Sequence, residues 1–320
     1  MALLEVLGGL VLLVLAGDGL VRGAVTLASR LGVPTLIISL TIIAFGTSAP
    51  ELVVGVDAVL KGSPTLALGN VVGSNIANVL LVIGLPAVIA PVACSAPRLG
   101  RNFMMMTGAT LLVIGLGMDN DLGLFDAIIL VTGLILFLGY SAYRAHQHRK
   151  EEDEAEEEYL DDEYEDEEIS PVGSMWLAGF MLVGGLLGLA IGADLLVNGS
   201  VTIARSLGVS EAVIGLTLVA IGTSLPELVT ALAAAFRGHS DVAMGSVIGS
   251  NMFNLLGILG ISSLVGHIPV PDSFIETDFW IMLGSIVILA PFIRRRGEVG
   301  RLMGLLMVGG YTAYMVMLAQ

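Results

Sequence analysis

Hydrophobic residues along the chain form long runs that are separated by short polar stretches. Runs of about 20 apolar residues can cross the hydrocarbon core of a bilayer as helices. Ten such runs are predicted, and a long polar stretch separates the first five from the last five. They cover residues 2–21, 34–60, 65–92, 101–118, 122–143, 174–197, 209–236, 241–266, 277–293 and 299–318. The pattern predicts an all-α polytopic membrane protein. Because no basic segment precedes the first run, we interpret it as a spanning helix and not as a signal peptide.

The two sets of runs are copies of one another. A shift of 176 residues aligns the segment from about residue 18 to 92 with the second set without gaps. The segment G-T-S-A-P-E-L-V at 46–53 falls on G-T-S-L-P-E-L-V at 222–229. Likewise, G-N-V-V-G-S-N-I-A-N at 69–78 falls on G-S-V-I-G-S-N-M-F-N at 245–254. An internal duplication of this kind predicts two structural units of one design.

Five is an odd number, so the second copy must cross the membrane in the opposite sense to the first. We therefore predict two inverted five-helix repeats at 1–143 and 173–320, joined by an acidic loop at 144–172. Alternating-access transporters use this layout to place a site near the midplane, at the interface of the repeats.

The basic residues indicate the orientation of the chain. If the N-terminus lies outside, the predicted outside loops hold only Lys61 and Arg205, which satisfies the positive-inside rule. The basic residues of the predicted inside loops are Arg22, Arg30, Arg98, Arg101, Arg144, Arg149, Lys150, Arg237, Arg294, Arg295, Arg296 and Arg301. We predict a cell membrane protein, in a plasma or inner membrane, with both termini outside and the acidic loop in the cytoplasm.

Composition agrees with a membrane protein. Only 13% of residues are charged and the mean hydropathy is +0.91, whereas soluble domains carry about 25% charged residues. The net charge of −15 comes mainly from 151–168, which holds 14 of the 29 acidic residues and is interpreted as a solvated, disordered loop. This run lacks the spacing of an EF-hand. The single cysteine excludes an internal disulfide and a multi-cysteine metal site.

Two glutamates in the middle of predicted spans are the strongest candidates for function. Glu51 and Glu227 occupy duplicated positions, and each follows a proline, Pro50 or Pro226. An ionisable group at this depth costs about 2.5–3.5 kcal/mol on insertion scales and usually marks an ion path. Proline lacks an N–H and breaks the helix, so nearby carbonyl groups become potential ligands for a hard cation.

Helical spacing places further polar side chains on the same faces as these glutamates or on a neighbouring helix. Residues four apart share a face of a helix. The pairs with this spacing are Thr47 with Glu51, Ser74 with Asn78, Thr223 with Glu227, and Ser250 with Asn254. All offer oxygen atoms and none offers a thiolate or imidazole, which favours Ca²⁺ or Na⁺ over Zn²⁺ or Cu²⁺.

Two other duplicated features allow more than one interpretation. Asp18 and Asp194 lie near predicted helix ends, where a capping or interfacial role and a gating role fit equally well. The G-x-x-x-G spacing of Gly69 and Gly73 is more typical of close helix packing than of a binding site.

The two G-T-S-x-P-E segments and the two G-S-N-x-x-N segments identify a family. The chain resembles the sodium/calcium exchanger branch of the cation/calcium antiporter superfamily over nearly its whole length. The resemblance implies that broken helices 2, 3, 7 and 8 line the site and that helices 1 and 6 slide as a gating pair. It implies ion ligands at Ala44, Thr47, Ser48, Glu51, Ser74, Asn78, Ala220, Thr223, Ser224, Glu227, Ser250 and Asn254. The two alanines would contribute their carbonyl groups.

The resulting hypothesis is Na⁺/Ca²⁺ antiport by alternating access, with Ca²⁺ extruded by the sodium gradient. Asn at position 254, where some members carry an acid, argues against potassium co-transport. An H⁺/Ca²⁺ antiporter is the nearest alternative and a passive cation channel is a weaker one. We expect the ions and the lipid bilayer as partners, with no cofactor, no nucleic acid and no obligate protein partner. No residue pattern indicates an enzyme.

Overall fold

The computed structural model describes residues 1–158, 174–208 and 220–318, and these residues are helical almost throughout. Within them, eight helices are long and apolar enough to cross a membrane. A ninth span consists of two helices, Thr35–Thr47 and Ala49–Leu60, that meet at an angle of 43°. The predicted multi-pass membrane protein is therefore confirmed. The first part of the predicted span at 209–236 lies outside the described residues.

The helices of the first half follow the predicted order. They are α1 (Ala2–Leu31), α2 (Thr35–Ile38), α3 (Ala44–Thr47), α4 (Ala49–Leu60), α5 (Pro64–Ala77), α6 (Gly84–Ile89), α7 (Leu99–Gly117) and α8 (Leu124–Glu158). Two wider π-helical segments interrupt this half. Ser39–Ile43 joins α2 to α3, and Asn78–Ile83 joins α5 to α6.

The helices of the second half repeat this order as far as the structure describes them. They are α9 (Met175–Ser206), α10 (Ala220–Thr223), α11 (Leu225–Phe236), α12 (Ser240–Met252), α13 (Leu259–Val265), α14 (Phe279–Arg294) and α15 (Arg301–Leu318). The π-helical segment Phe253–Ile258 joins α12 to α13, and another, Phe274–Asp278, precedes α14. The span formed by α12, Phe253–Ile258 and α13 is buried over its most apolar stretch, so it lies at the centre of the bundle.

Three helices are longer than the apolar runs that predicted them. Helix α1 continues ten residues beyond the predicted end at 21 and stops at Gly32, which has a left-handed φ of 61°. Its N–H donates to the Ala28 and Ser29 carbonyls, so glycine ends the helix where an L side chain would be strained. Helix α8 likewise continues to Glu158, into the range assigned to the acidic loop, and α9 continues to Ser206.

Two short antiparallel strand pairs tie loops of the two halves together. The strand β1 (Val92–Ala93) pairs with β4 (Glu298–Val299), and β2 (Asp121–Leu122) pairs with β3 (Ile268–Pro269). Next to the first pair, the N–H of Cys94 donates to the Gly297 carbonyl at 2.7 Å. The pairs satisfy backbone groups of the loops at the ends of the helices.

Helices α1 and α9 pack along their lengths through small residues. A Cβ atom placed at Gly9 would lie 2.7 Å from the Gly192 carbonyl oxygen, and one at Gly23 would lie 2.9 Å from that of Ala178. One placed at Gly199 would lie 2.7 Å from the Ala2 carbonyl oxygen. These glycines let the two backbones touch, as small residues do between helices in membranes.

The G-x-x-x-G spacing recurs in the second half at 245–249. Close packing there fixes α12 against the segment that leads into α3. A Cβ atom at Gly249 would lie 2.4 Å from the Leu40 carbonyl oxygen and 2.5 Å from the Ala44 Cβ. The first copy differs from the packing role we predicted for it. A Cβ at Gly73 would meet nothing within 4 Å, and one at Gly69 would meet only the Phe274 ring at 3.8 Å. The same spacing therefore packs tightly in one half only.

This difference predicts that Gly249→Ala destabilises the protein and that Gly73→Ala does not. The added methyl group at Gly249 collides with backbone, which cannot rotate away as a side chain can, so overpacking is expected to cost about 1–3 kcal/mol. The midpoint of thermal unfolding in detergent measures the effect. Gly73→Ala is the matched control, and equal unfolding temperatures for the two variants would contradict the packing.

Candidate functional site

Both predicted helix breaks are present and have the same geometry. Ser48 separates α3 from α4 with φ −86° and ψ 2°, and Ser224 separates α10 from α11 with φ −88° and ψ 4°. In each case a proline occupies the first turn of the following helix. Because Pro50 has no N–H, it cannot bond to the Gly46 carbonyl, and the helix axis changes direction at this point.

Each break places a glutamate in the first turn of the next helix and inside the protein. Glu51 and Glu227 are both 1% exposed. Among the described residues, no basic side chain forms an ion pair with either carboxylate. Two buried like charges without a protein counter-charge are strongly destabilising unless a cation or protons neutralise them.

Hydroxyl groups connect the first half to the second around Glu227. The Ser48 hydroxyl donates to Glu227 Oε1 at 3.3 Å, and the Ser250 hydroxyl donates to the same oxygen at 3.5 Å. Thr47 Oγ1 lies 3.4 Å from Ser250 Oγ. Four of the predicted ligands, from α3–α4, α11 and α12, therefore form one buried cluster.

Two buried asparagines, which the sequence analysis did not name, directly follow predicted ligand serines, Ser74 and Ser250. The Asn78 amide donates to Asn251 Oδ1 at 3.0 Å, and Asn251 is fully buried. Its repeat counterpart, Asn75, is also fully buried and donates to the Val71 carbonyl at 2.7 Å. Both belong to the G-S-N segments, so the duplicated motif already contained the signal. The i, i+4 pairs of the sequence analysis did not include them, because each lies one residue beyond the serine of its pair.

Five oxygen atoms of predicted ligands are buried and have no hydrogen-bond partner among the described residues. This is unusual, because buried polar atoms in native proteins are nearly always paired. Two of the atoms belong to the carboxylates, two to predicted asparagine ligands, and one to the serine at the second helix break. They are Glu51 Oε2, Glu227 Oε2, Asn78 Oδ1, Asn254 Oδ1 and Ser224 Oγ. Buried oxygen atoms without donors are the type of ligand that a hard cation prefers.

The remaining predicted ligands are placed less uniformly. Ser74 is buried in the last turn of α5. The Ala44 carbonyl already accepts from the Ser48 N–H at 3.0 Å and from the Thr47 hydroxyl at 3.3 Å. Thr223 lines a cavity of about 180 Å³ together with Pro50, Asp194 and Pro226. Ala220 begins α10.

Comparison with known proteins agrees with this arrangement. The family model described as "Sodium/calcium exchanger protein" matches residues 1–144 and 177–320. The chain belongs to the sodium/calcium exchanger family. It is 33% identical to the sodium/calcium exchanger MaX1 of Methanosarcina acetivorans over 97% of this chain and 96% of that protein. It is 33% identical to the inner membrane protein YrbG of Escherichia coli over 97% of this chain and 94% of that protein.

The fold is also that of a solved exchanger. The sodium-calcium exchanger NCX_Mj, in a structure soaked with Na⁺ and Sr²⁺, matches 98% of this chain and 97% of its own length. The TM-score is 0.82 at 30% sequence identity. The protein is accordingly a cation/Ca²⁺ antiporter and not an enzyme, and the predicted substrates, Na⁺ and Ca²⁺, are those of the family.

The site predicts that Glu51→Gln and Glu227→Gln each weaken Ca²⁺ binding by roughly 100-fold, because each removes half of the charge that faces the ion. Ca²⁺ raises the unfolding temperature of a protein that binds it in the folded state. Both variants should lose this increase. Without divalent ions they should unfold at or above the temperature of the unmodified protein, because one buried charge is gone.

Asp57→Asn is the matched control for these variants. Asp57 lies on the same helix as Glu51, and its exposed carboxylate is 2.7 Å from Lys61 Nζ. An exposed ion pair contributes little to stability, so this variant should keep the full Ca²⁺ response. Retention of that response by Glu51→Gln or Glu227→Gln would remove that glutamate from the site.

Proposed function

We propose that the protein exchanges Na⁺ for Ca²⁺ through the cluster around Glu51 and Glu227. The observation that supports this most directly is the set of buried oxygen atoms without donors. Two carboxylates are neutralised by one Ca²⁺, or by two Na⁺ with a third slightly overcompensating. The empty site is costly to move past a hydrophobic constriction, because the unpaired charges lose their solvation there. Exchange, and not leakage of one ion, follows from this cost.

The ligand set we propose is the one that the family resemblance implies. Glu51 and Glu227 supply the charge, and neutral oxygens from both halves complete the coordination. These neutral ligands are Ala44, Thr47, Ser48, Ser74, Asn78, Ala220, Thr223, Ser224, Ser250 and Asn254. Neutral oxygens favour sodium as the second ion, because protons bound to two carboxylates need no further ligands. The large number of neutral oxygen ligands therefore disfavours an H⁺/Ca²⁺ antiporter.

The architecture we propose is ten spanning helices in two inverted repeats, at 1–143 and 173–320. Residues 144–172 form the cytoplasmic connection, and both termini lie outside. The duplicated motifs, the matching helix breaks and the distribution of basic residues support this topology. Similarity to the inner membrane protein YrbG supports a plasma or inner membrane location. In such a membrane, entry of Na⁺ would drive extrusion of Ca²⁺.

Helix contacts differ between the halves, and this difference supports alternating access. Gly17 of α1 packs against α11, where a Cβ atom would lie 2.8 Å from Val229 Cγ1. The repeat counterparts of these residues are Ala193 and Val53, and Val53 is 68% exposed. Inverted repeats that adopt different contacts correspond to one side closed and the other open.

The ion pairs show the same asymmetry. Asp18 accepts from Arg237 Nε at 2.6 Å and pairs with Arg22 at 3.0 Å. The counterparts of Asp18 and Arg237 are Asp194 and Lys61, and Lys61 instead pairs with Asp57. The cavity that Asp194 lines reaches Thr223. We infer that the described state is closed at the Asp18–Arg237 end, which the proposed topology places in the cytoplasm.

Transport by reconstituted protein tests the proposed exchange. Ca²⁺ uptake into proteoliposomes loaded with Na⁺ should occur after dilution into sodium-free buffer and should cease in sodium-matched buffer. Glu51→Gln and Glu227→Gln should abolish it, and Asp57→Asn should not. Uptake that follows a pH gradient and ignores sodium would establish the proton antiporter instead. Uptake that needs neither gradient would indicate a channel.

A cross-link tests the proposed alternation. In a Cys94→Ala background, the pair Gly17→Cys and Val229→Cys should form a disulfide under mild oxidation, because the two positions touch. Transport should stop and should return after reduction. The counterpart pair, Ala193→Cys and Val53→Cys, should cross-link only when the protein is given ions that let it change state. Cross-linking of both pairs in one fixed state, or of the second pair in none, would exclude alternation between the repeats.

A further inference from the structure

Three buried side chains form a chain of hydrogen bonds that ends at a predicted ion ligand. The Asn251 amide, in the last turn of α12, donates to Met106 Sδ of α7 at 3.6 Å. Asn251 Oδ1 accepts from the Asn78 amide at 3.0 Å. At the far end, Asn78 Oδ1 is buried and has no donor among the described residues. Each of the three side chains is at most 1% exposed, so water does not compete for these bonds. We call this chain of hydrogen bonds the amide relay.

The chemistry of Met106 fixes the direction of the amide relay. A thioether sulfur has no proton to donate, so it can only accept a hydrogen bond. The NH₂ end of the Asn251 side chain therefore faces the sulfur, and its oxygen faces Asn78. An oxygen at that place in turn requires the NH₂ end of Asn78. The sulfur thus determines that the oxygen of Asn78 is the atom left over for a ligand.

The orientation of Asn78 decides whether its side chain can bind a cation. The two ends of a carboxamide have nearly the same shape, but only the oxygen has lone pairs, whereas the nitrogen presents two hydrogen atoms. The terminal torsion of asparagine has broad energy wells, so an amide without a partner can take either orientation. One orientation gives the cation a ligand, and the other directs N–H groups at it.

The second half contains matching residues, but they are not joined in the described part of the chain. The shift of 176 residues matches Met282 and Asn75 to the methionine and the central asparagine of the amide relay. Met282 is fully buried, and α14 packs against α5 as α7 packs against α12. Asn75 nevertheless donates to the Val71 carbonyl of its own helix at 2.7 Å. The amide relay therefore orients one of the two asparagine ligands, whereas Asn254 receives no hydrogen bond from Asn75.

We propose that Asn251 is a positioning residue that turns the side-chain oxygen of Asn78 toward the bound cation. This inference rests on the proposed ligand set, in which Asn78 supplies that oxygen. Asn251 itself is not a ligand, because both ends of its amide are already occupied by Met106 and Asn78. Its replacement therefore acts on the ion only through Asn78.

Ca²⁺ binding to the purified full-length protein, measured by equilibrium dialysis in detergent, tests this proposal. Asn251→Leu should lower the affinity about tenfold, which is the usual effect of losing a group that orients a metal ligand. Met106→Leu conserves volume and removes only the sulfur, so it should lower the affinity by about threefold, because a thioether is a weak acceptor. In an Asn78→Asp background both losses should disappear, because both ends of a carboxylate are oxygen atoms. Met106→Leu carries the comparison if Asn251→Leu does not fold.

Asn254→Asp is the matched control background, because it adds the same charge at the asparagine that Asn251 does not orient. Asn251→Leu should still lower the affinity about tenfold there. Equal losses in all three backgrounds would mean that Asn251 only supports packing, and loss of the effect in both aspartate backgrounds would mean that charge matters and orientation does not. Either result would overturn the proposal.

Glu51→Gln separates this inference from the proposed ion site. If Glu51→Gln abolishes Ca²⁺ binding and Asn251→Leu leaves the affinity unchanged, the ion site stands and the positioning role of Asn251 is wrong. If Glu51→Gln keeps the full affinity, the proposed ion site is wrong and the positioning role falls with it. The measurement needs no ion gradient, so its result does not depend on whether Na⁺ or H⁺ is the exchanged ion.

Discussion

The structure depends on one constraint: two carboxylates are held inside a membrane protein, and no basic side chain in the described part of the chain neutralises them. Glu51 and Glu227 are almost completely buried, and each begins a helix immediately after a break. A permanent basic partner would lower the free-energy cost of burying the two carboxylates, but it would also compete with a transported cation for them. By leaving the charge unpaired, the fold makes its own stability depend on the cargo.

The buried atoms around the glutamates are electrostatically one-sided. Among the described residues, oxygen acceptors of Glu51, Glu227, Asn78 and Asn254 lack hydrogen-bond donors, which suits a cation such as Ca²⁺. The imbalance is informative because buried polar atoms in proteins are otherwise paired.

Sequence alone predicted the features that come from composition and duplication. Proline beside an acid at mid-span indicated the helix ends at Ser48 and Ser224, which the structure shows; the role of Glu51 and Glu227 as ion ligands stays a prediction. Prediction was poorer where geometry departs from a straight helix. A π-helical segment begins at Asn78 and turns the following residues away from the face that regular spacing predicts. Regular spacing also left out Asn251, whose side-chain oxygen accepts a hydrogen bond from Asn78.

Other differences between the prediction and the structure arise because a local sequence pattern does not show which part of the chain will pack against it. The first predicted run stops at residue 21, just before Arg22, whereas helix α1 continues past Arg22 until Gly32 stops it. Strands of two residues are too short to show a period of two. The glycines at 73 and 249 have the same sequence context, yet only Gly249 touches another backbone. Which copy packs tightly depends on the neighbouring helices, which the repeated motif does not specify.

The glycine contacts between α1 and α9 also affect how easily one helix can slide along the other. Interlocked side chains make the energy of a helix pair rise and fall with each residue of axial displacement, whereas bare backbone surfaces make a flatter profile. With Gly9, Gly23 and Gly199 at the contact, two helices can stay in van der Waals contact while one shifts along the other. Such an interface resists separation of the two helices but offers little resistance to sliding.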